Sequence, residues 1–190
     1  GVQTCALPIF SITHKDIADN RRNKKFNLQK DLKLTYLGPD KSYKGFDLLL
    51  TSMKMLEARG YTNIKLNVYG DTSCFGMLRQ NIKVNGRYVY SDLDKIFEQT
   101  DLLIVPSKWY ETFGFITLEA ISYGVPVLVS NKVGSKDILK GNFNKGIIIQ
   151  DTCEEIVETL ISIYEDREML EKINFNILND EFNMTLTRHY

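Results

Sequence analysis

From residue 32 onward, two kinds of apolar pattern alternate along the chain. Short, nearly unbroken apolar runs occupy 32–38, 63–70, 82–86, 101–107, 125–130 and 146–150, most of them ending beside Gly, Pro or Asn. Such runs predict strands buried on both faces. Between them lie segments with apolar residues every three or four positions, the spacing of a helix with one buried side. This spacing predicts helices over 45–60, 91–100 (with Ser91 as its cap), 114–123, 135–140, 152–164 and 167–180. Residues 71–81 are ambiguous, with one helical turn expected near 75–80. Unbroken strands alternating with helices predict an α/β fold, a doubly wound parallel sheet of Rossmann-like type, with ligands at the carboxyl ends of the strands.

The first ten residues, GVQTCALPIF, fit neither pattern. They resemble the translation of a sequencing adapter, and residues 1–10 are expected to be a non-native segment. A signal peptide would need a basic start and a longer apolar run. Residues 11–31 contain the basic stretch RRNKKFNLQK and read as a linker, and 181–190 as a tail after a domain over 32–180.

Composition narrows the chemistry. Lys plus Arg equals Asp plus Glu at 24 each, so no global field draws the chain to nucleic acid. No apolar run reaches the roughly 18–20 residues of a membrane span, and the chain reads as soluble. Cys5, Cys74 and Cys153 are widely spaced and odd in number, which fits a reducing compartment and no disulfide frame. With only His14 and His189, histidine-based metal clusters and Ser-His-Asp chemistry are not expected. Neither a metal nor a cofactor is expected.

Nucleotide signatures of the common kinds are absent. No G-x-G-x-x-G follows a predicted strand, and GPDKSYKGF (38–46) lacks P-loop spacing. It does place Lys44 in the loop after the first strand, just before a helix, where a cation and free amides suit a phosphate. A lysine in a surface turn is the alternative. The segment ETFGFITLE sets Glu111 and Glu119 eight positions apart around Gly114. On a continuous helix that is about 12 Å of rise, beyond the roughly 5–9.5 Å of paired glycosidase carboxylates. The two acids suit the ends of one elongated ligand better than one reacting bond. Gly114 would let that ligand approach the amides of the next helix. Hydroxyls at both ends with anionic charge between them describe a nucleotide-sugar. A solvated Glu111 with a helix-surface Glu119 is the alternative.

Here a resemblance becomes specific. VPSKWYETFGFITLEAISYGVPVLVS resembles the E-x7-E signature of retaining GT-B glycosyltransferases (group 1, family 4). YLGPDKSYKGFDLLL resembles the first strand and loop of their donor-binding domain. The likeness covers about 32–165 and implies the C-terminal half of a GT-B fold, with most of the N-terminal half missing.

By that resemblance Lys44 would bind the donor diphosphate and share the catalytic work with Glu111. Amides across Thr112, Phe113, Gly114 and Phe115 would bind diphosphate and sugar. Glu111 would hold hydroxyls of the donor sugar and Glu119 those of the ribose. Loss of Glu111 would then spare the binding of a bare nucleotide. Gly38 and Lys41 lie in the same phosphate loop. The family usually has arginine where Pro39 stands, and Lys41 is its candidate substitute. The implied activity is sugar transfer from a nucleotide-sugar to a glycan, lipid-linked or protein acceptor, with retained anomeric configuration and no transfer by the isolated piece. A nucleotide-sugar 2-epimerase and a non-catalytic nucleotide-sugar-binding partner are the alternatives. Polysaccharide biosynthesis in the cytoplasm is the implied setting, with room for peripheral contact with the inner membrane face through the missing domain.

Overall fold

The computed structural model describes residues 30–71, 79–112, 114–139 and 146–173. The unbroken apolar runs form six strands: β1 (Leu32–Leu37), β2 (Ile64–Tyr69), β3 (Ile82–Gly86), β4 (Leu102–Val105), β5 (Val127–Ser130) and β6 (Ile147–Ile149). All pairings between them are parallel, in the order β3-β2-β1-β4-β5-β6. Buried Leu, Ile and Val on both faces of β4 and β5 explain why the runs do not alternate. Pro126 cannot donate to a ladder, and β5 starts just after it.

The helices are α1 (Phe46–Ala58), α2 (Leu93–Glu98), α3 (Phe115–Ser122), α4 (Lys136–Leu139), α5 (Cys153–Glu165) and α6 (Glu168–Glu171). The chain runs from β1 outward to β2 on one side and from β4 outward to β5 on the other. Right-handed crossovers therefore place α1 and α3 on opposite faces, which makes the sheet doubly wound. Ser52 of α1 donates to the carbonyl of Cys153 at the start of α5, which joins α1 and α5 on one face. On the other face, the rings of Phe97 of α2 and Tyr123 after α3 pack tilted against each other with centroids 5.1 Å apart.

Two expected helix ends shift. Ser91 does not cap α2; the residues 90–92 form a 3-10 turn, and Asp92 precedes the helix. The Asp92 carboxylate accepts from the Val89 amide at 2.9 Å, and no side chain caps the helix. The last helix runs over Glu168–Glu171 between Arg167 and Lys172 as its caps, and residues 174–180 of its expected span lie outside the described residues. The turn expected at 75–80 falls mostly outside them as well. Thr152 does cap α5, accepting from the Glu155 amide at 3.2 Å. No helix among the described residues is long and apolar enough to cross a membrane.

Candidate functional site

The sheet changes direction between β1 and β4, so the loops leaving these two strands open a crevice at their carboxyl ends. The loop after β1 is tied down at each step. The Gly38 amide donates to the Tyr69 carbonyl at 2.9 Å, and buried Tyr36 donates its hydroxyl to the Pro39 carbonyl at 2.8 Å. A single 3-10 turn, Ser42–Lys44, follows Lys41 and ends at Gly45 with φ 75°. Gly45 is also the residue before α1, so Lys44 is held at the threshold of that helix.

The loop after β4 packs directly on this turn. A Cβ at Gly45 would lie 1.7 Å from the Pro106 carbonyl oxygen, so the two backbones touch only because residue 45 has no side chain. The Lys108 and Trp109 amides donate to the Tyr43 carbonyl at 3.0 and 3.1 Å. The Lys108 ammonium reaches the Asp47 carboxylate and the Ser42 hydroxyl, each at 2.7 Å. Burial acts to raise the Asp47 carboxyl, but hydrogen bonds from Lys108 and Ser42 outweigh it and hold the group below its ordinary value. One charged clamp thus joins the two loops.

Glu111 is fixed from a third direction. It forms an isolated parallel bridge with Val133; its amide donates to the Lys132 carbonyl, and its carbonyl accepts from the Gly134 amide, both at 3.0 Å. A Cβ at Gly134 would lie 2.2 Å from the Thr112 carbonyl oxygen, so this glycine seats the segment carrying the acid. The outcome is an ion pair across the crevice: Lys44 Nζ lies 3.2 Å from Glu111 Oε1.

Gly114, with φ 74°, starts α3, and no side chain caps that helix. The first amides of a helix have no intrahelical acceptor, and the helix dipole favours an anion there. Beneath Gly114 lie two buried hydroxyls without a hydrogen-bond partner among the described residues, Thr117 Oγ1 and Ser135 Oγ. They stand 3.7 and 3.5 Å from where a Gly114 Cβ would be. Glu119 lies farther along α3, half-buried, and burial raises its carboxyl above the ordinary value. Its charge in turn bears on Tyr88 and Tyr90, which burial and then Glu119 push upward.

The residues expected from the sequence thus fall as follows. Lys44 and Glu111 are in direct contact, and Gly38 and Lys41 belong to the Lys44 loop, Lys41 being exposed. Thr112 is exposed, Gly114 begins the helix, and Phe115 is partly exposed. Phe113 lies outside the described residues. Tyr36, Asp47, Lys108, Gly134, Tyr88 and Tyr90 went unnoticed in the sequence. Only Gly134 carried a signal there, as a glycine one turn after a predicted strand.

A substitution tests the contact between the loops. Gly45→Ala is expected to cost about 2–5 kcal/mol, the left-handed φ and the overpacking together. Gly60 has a similar φ of 88° but nothing within 4 Å of an added Cβ, so Gly60→Ala should cost only about 1–2 kcal/mol. Urea unfolding of both variants checks this. Equal losses would mean that the Pro106 backbone moves aside freely.

Comparison with known proteins places this geometry. The family model described as glycosyl transferases group 1 matches residues 18–179. An uncharacterized 41.2 kDa protein of the cps region in Klebsiella pneumoniae is 28% identical over 134 residues, covering 69% of this chain and 36% of its own. The capsular polysaccharide biosynthesis glycosyltransferase CapM of Staphylococcus aureus is 26% identical over 168 residues, covering 83% of this chain and 44% of its own. The chain therefore spans less than half the length of either relative. Anabaena Alr3699/HepE, solved in complex with UDP and glucose, superposes with a TM-score of 0.65 at 18% identity, covering 94% of this chain and 55% of its own. At that identity the likeness shows the fold alone, that of one part of a GT-B glycosyltransferase.

Proposed function

The chain belongs to the glycosyl transferases of group 1, and on that premise we propose that it is the donor-binding half of a retaining GT-B enzyme. The observation that carries this reading is the Lys44–Glu111 pair at the switch point between β1 and β4. A cation and an acid, far apart in sequence, are held side by side at the place where such sheets bind ligands.

The donor diphosphate takes Lys44 and the amides that begin α3. Glu111 receives hydroxyls of the donor sugar, with backbone groups from Thr112 to Phe115 completing that end. Glu119 receives the ribose hydroxyls, which gives a half-buried carboxylate its hydrogen-bond donors. Along the donor, the sugar, the diphosphate and the ribose thus take Glu111, Lys44 with the helix amides, and Glu119 in turn. Three observations support it: the Lys44–Glu111 contact, the uncapped helix and the burial of Glu119. HepE, a fold relative, has been solved with UDP and glucose.

In transfer, the bond between the anomeric carbon and the diphosphate oxygen breaks as an acceptor hydroxyl oxygen bonds that carbon on the same face, its proton passing to the departing diphosphate. Charge grows on the leaving diphosphate, and preorganised donors aimed at it lower the barrier. Lys44 is held for this by Gly45 and the Lys108–Asp47 clamp. Lys41 takes the place of the arginine that Pro39 replaces. The acceptor site and the rest of the cleft belong to a second half, through which any membrane contact would be made.

Calorimetric titration of the chain with UDP, GDP and ADP tests the reading. Weak binding of one of them, without sugar transfer by the chain alone, is the expected result. Absence of heat and of thermal shift with all three would falsify the donor-site reading, whereas transfer by the chain alone would refute the need for a second half.

A further inference from the structure

We propose that the Lys44–Glu111 ion pair makes the site prefer an intact nucleotide-sugar to the bare nucleoside diphosphate left after transfer, a coupling that rests on the donor-site reading. The pair is 3.2 Å long, with the Lys44 side chain 34% exposed and that of Glu111 17% exposed. Among the described residues, Lys44 is the cation within ion-pair distance of Glu111. The backbones that carry the two side chains are both fixed. The Lys44 turn is pinned by Gly45 against Pro106, and the Glu111 backbone is hydrogen-bonded to Lys132 and Gly134.

A diphosphate that engages Lys44 must draw the ammonium away from Glu111. That strips a largely buried carboxylate of its counter-charge, which is unfavourable unless something replaces it. The hydroxyls of a donor sugar are such a replacement, because they donate hydrogen bonds to the acid. A bare nucleoside diphosphate brings none. The same lysine therefore binds the leaving group strongly while the sugar is attached and releases it more readily afterwards. This reverses the simple expectation that Glu111, having no contact with the bare nucleotide, has no effect on its affinity.

The test is a double-mutant cycle on the 190-residue chain, read by calorimetry with UDP, GDP and ADP. Circular dichroism first confirms folding, with Glu111→Ala substituted if Glu111→Gln does not fold. For whichever diphosphate binds, Glu111→Gln should tighten binding roughly three- to tenfold, between the effects of an exposed and a buried pair. Affinity for the corresponding diphosphate-glucose should not tighten in step. In a Lys44→Met background, Glu111→Gln should give no such gain. Unchanged or weaker diphosphate binding by Glu111→Gln overturns the proposal while leaving the donor site standing. An equal gain in the Lys44→Met background also overturns it, because Glu111 would then merely repel phosphate. If the wild-type chain binds none of the three, the donor-site reading fails and this inference falls with it.

Discussion

Lys44→Ala, in an enzyme carrying both halves, is expected to lower turnover by about 10²–10³-fold, the usual loss when one preorganised donor to a developing anion is removed. Lys41→Ala should lower it only a few-fold. The difference is structural. Lys44 ends a turn whose backbone is clasped between Gly45 and Pro106, with its ammonium 3.2 Å from Glu111. Lys41 is exposed and precedes that turn. Steady-state rates at saturating donor measure both variants. Equal and small losses would mean that the phosphate cation lies elsewhere.

Why Lys44 and Glu111 could be singled out in the sequence, but their contact could not, follows from what a linear pattern contains. The strands were legible because parallel strands buried on both faces are uninterrupted, as in LLIV at 102–105 and VLVS at 127–130. Each acid or base could then be placed at the end of a particular strand. Whether β1 lies beside β4 depends on tertiary pairing, Leu34 with Leu102 and Thr35 with Leu103, which periodicity does not record. The Lys108–Asp47 clamp was hidden for the same reason, since both look like ordinary surface charges until the two loops are side by side.

The start of α2 is another difference. Ser91 and Asp92 are both good helix-capping types, and their order in the sequence favours the serine. The chain instead enters the helix through a 3-10 turn over Tyr90–Asp92, with the Asp92 carboxylate on the Val89 amide, and the helix begins at Leu93. Gly45 was visible as a glycine at a helix start, but the carbonyl of Pro106 that forbids any side chain there comes from the loop after β4. The setting of Glu119 was likewise half legible. Its position on a helix could be read, whereas the neighbouring Tyr88 and Tyr90 arrive from the connection after β3.

That setting makes Glu119 a case where binding and stability should move in opposite directions. Glu119→Ala is expected to weaken nucleoside diphosphate binding by roughly 1.5–3 kcal/mol, about ten- to a hundredfold, the worth of a hydrogen bond to a charged acceptor. Glu119→Gln should also weaken binding, yet it should stabilise the unliganded fold at neutral pH. Burial raises this carboxyl above its ordinary value of 4.5, so the folded chain holds a proton that the unfolded chain has already released. Stability contributed by this group therefore falls as pH rises from 4.5 through the raised value, and the deficit is complete above it. Glutamine has the same shape without that charge. Its advantage should be absent near pH 4, grow through that window and stay constant at higher pH. Binding by the wild type should run the other way, weakening as pH falls through the raised value and the ribose acceptor is protonated. Thermal melts at pH 4, 6 and 8, with and without nucleotide, measure both trends. A Glu119→Gln chain less stable than wild type at pH 8 would mean that the carboxylate serves the fold through a partner of its own, and the ribose role would lose its physical basis.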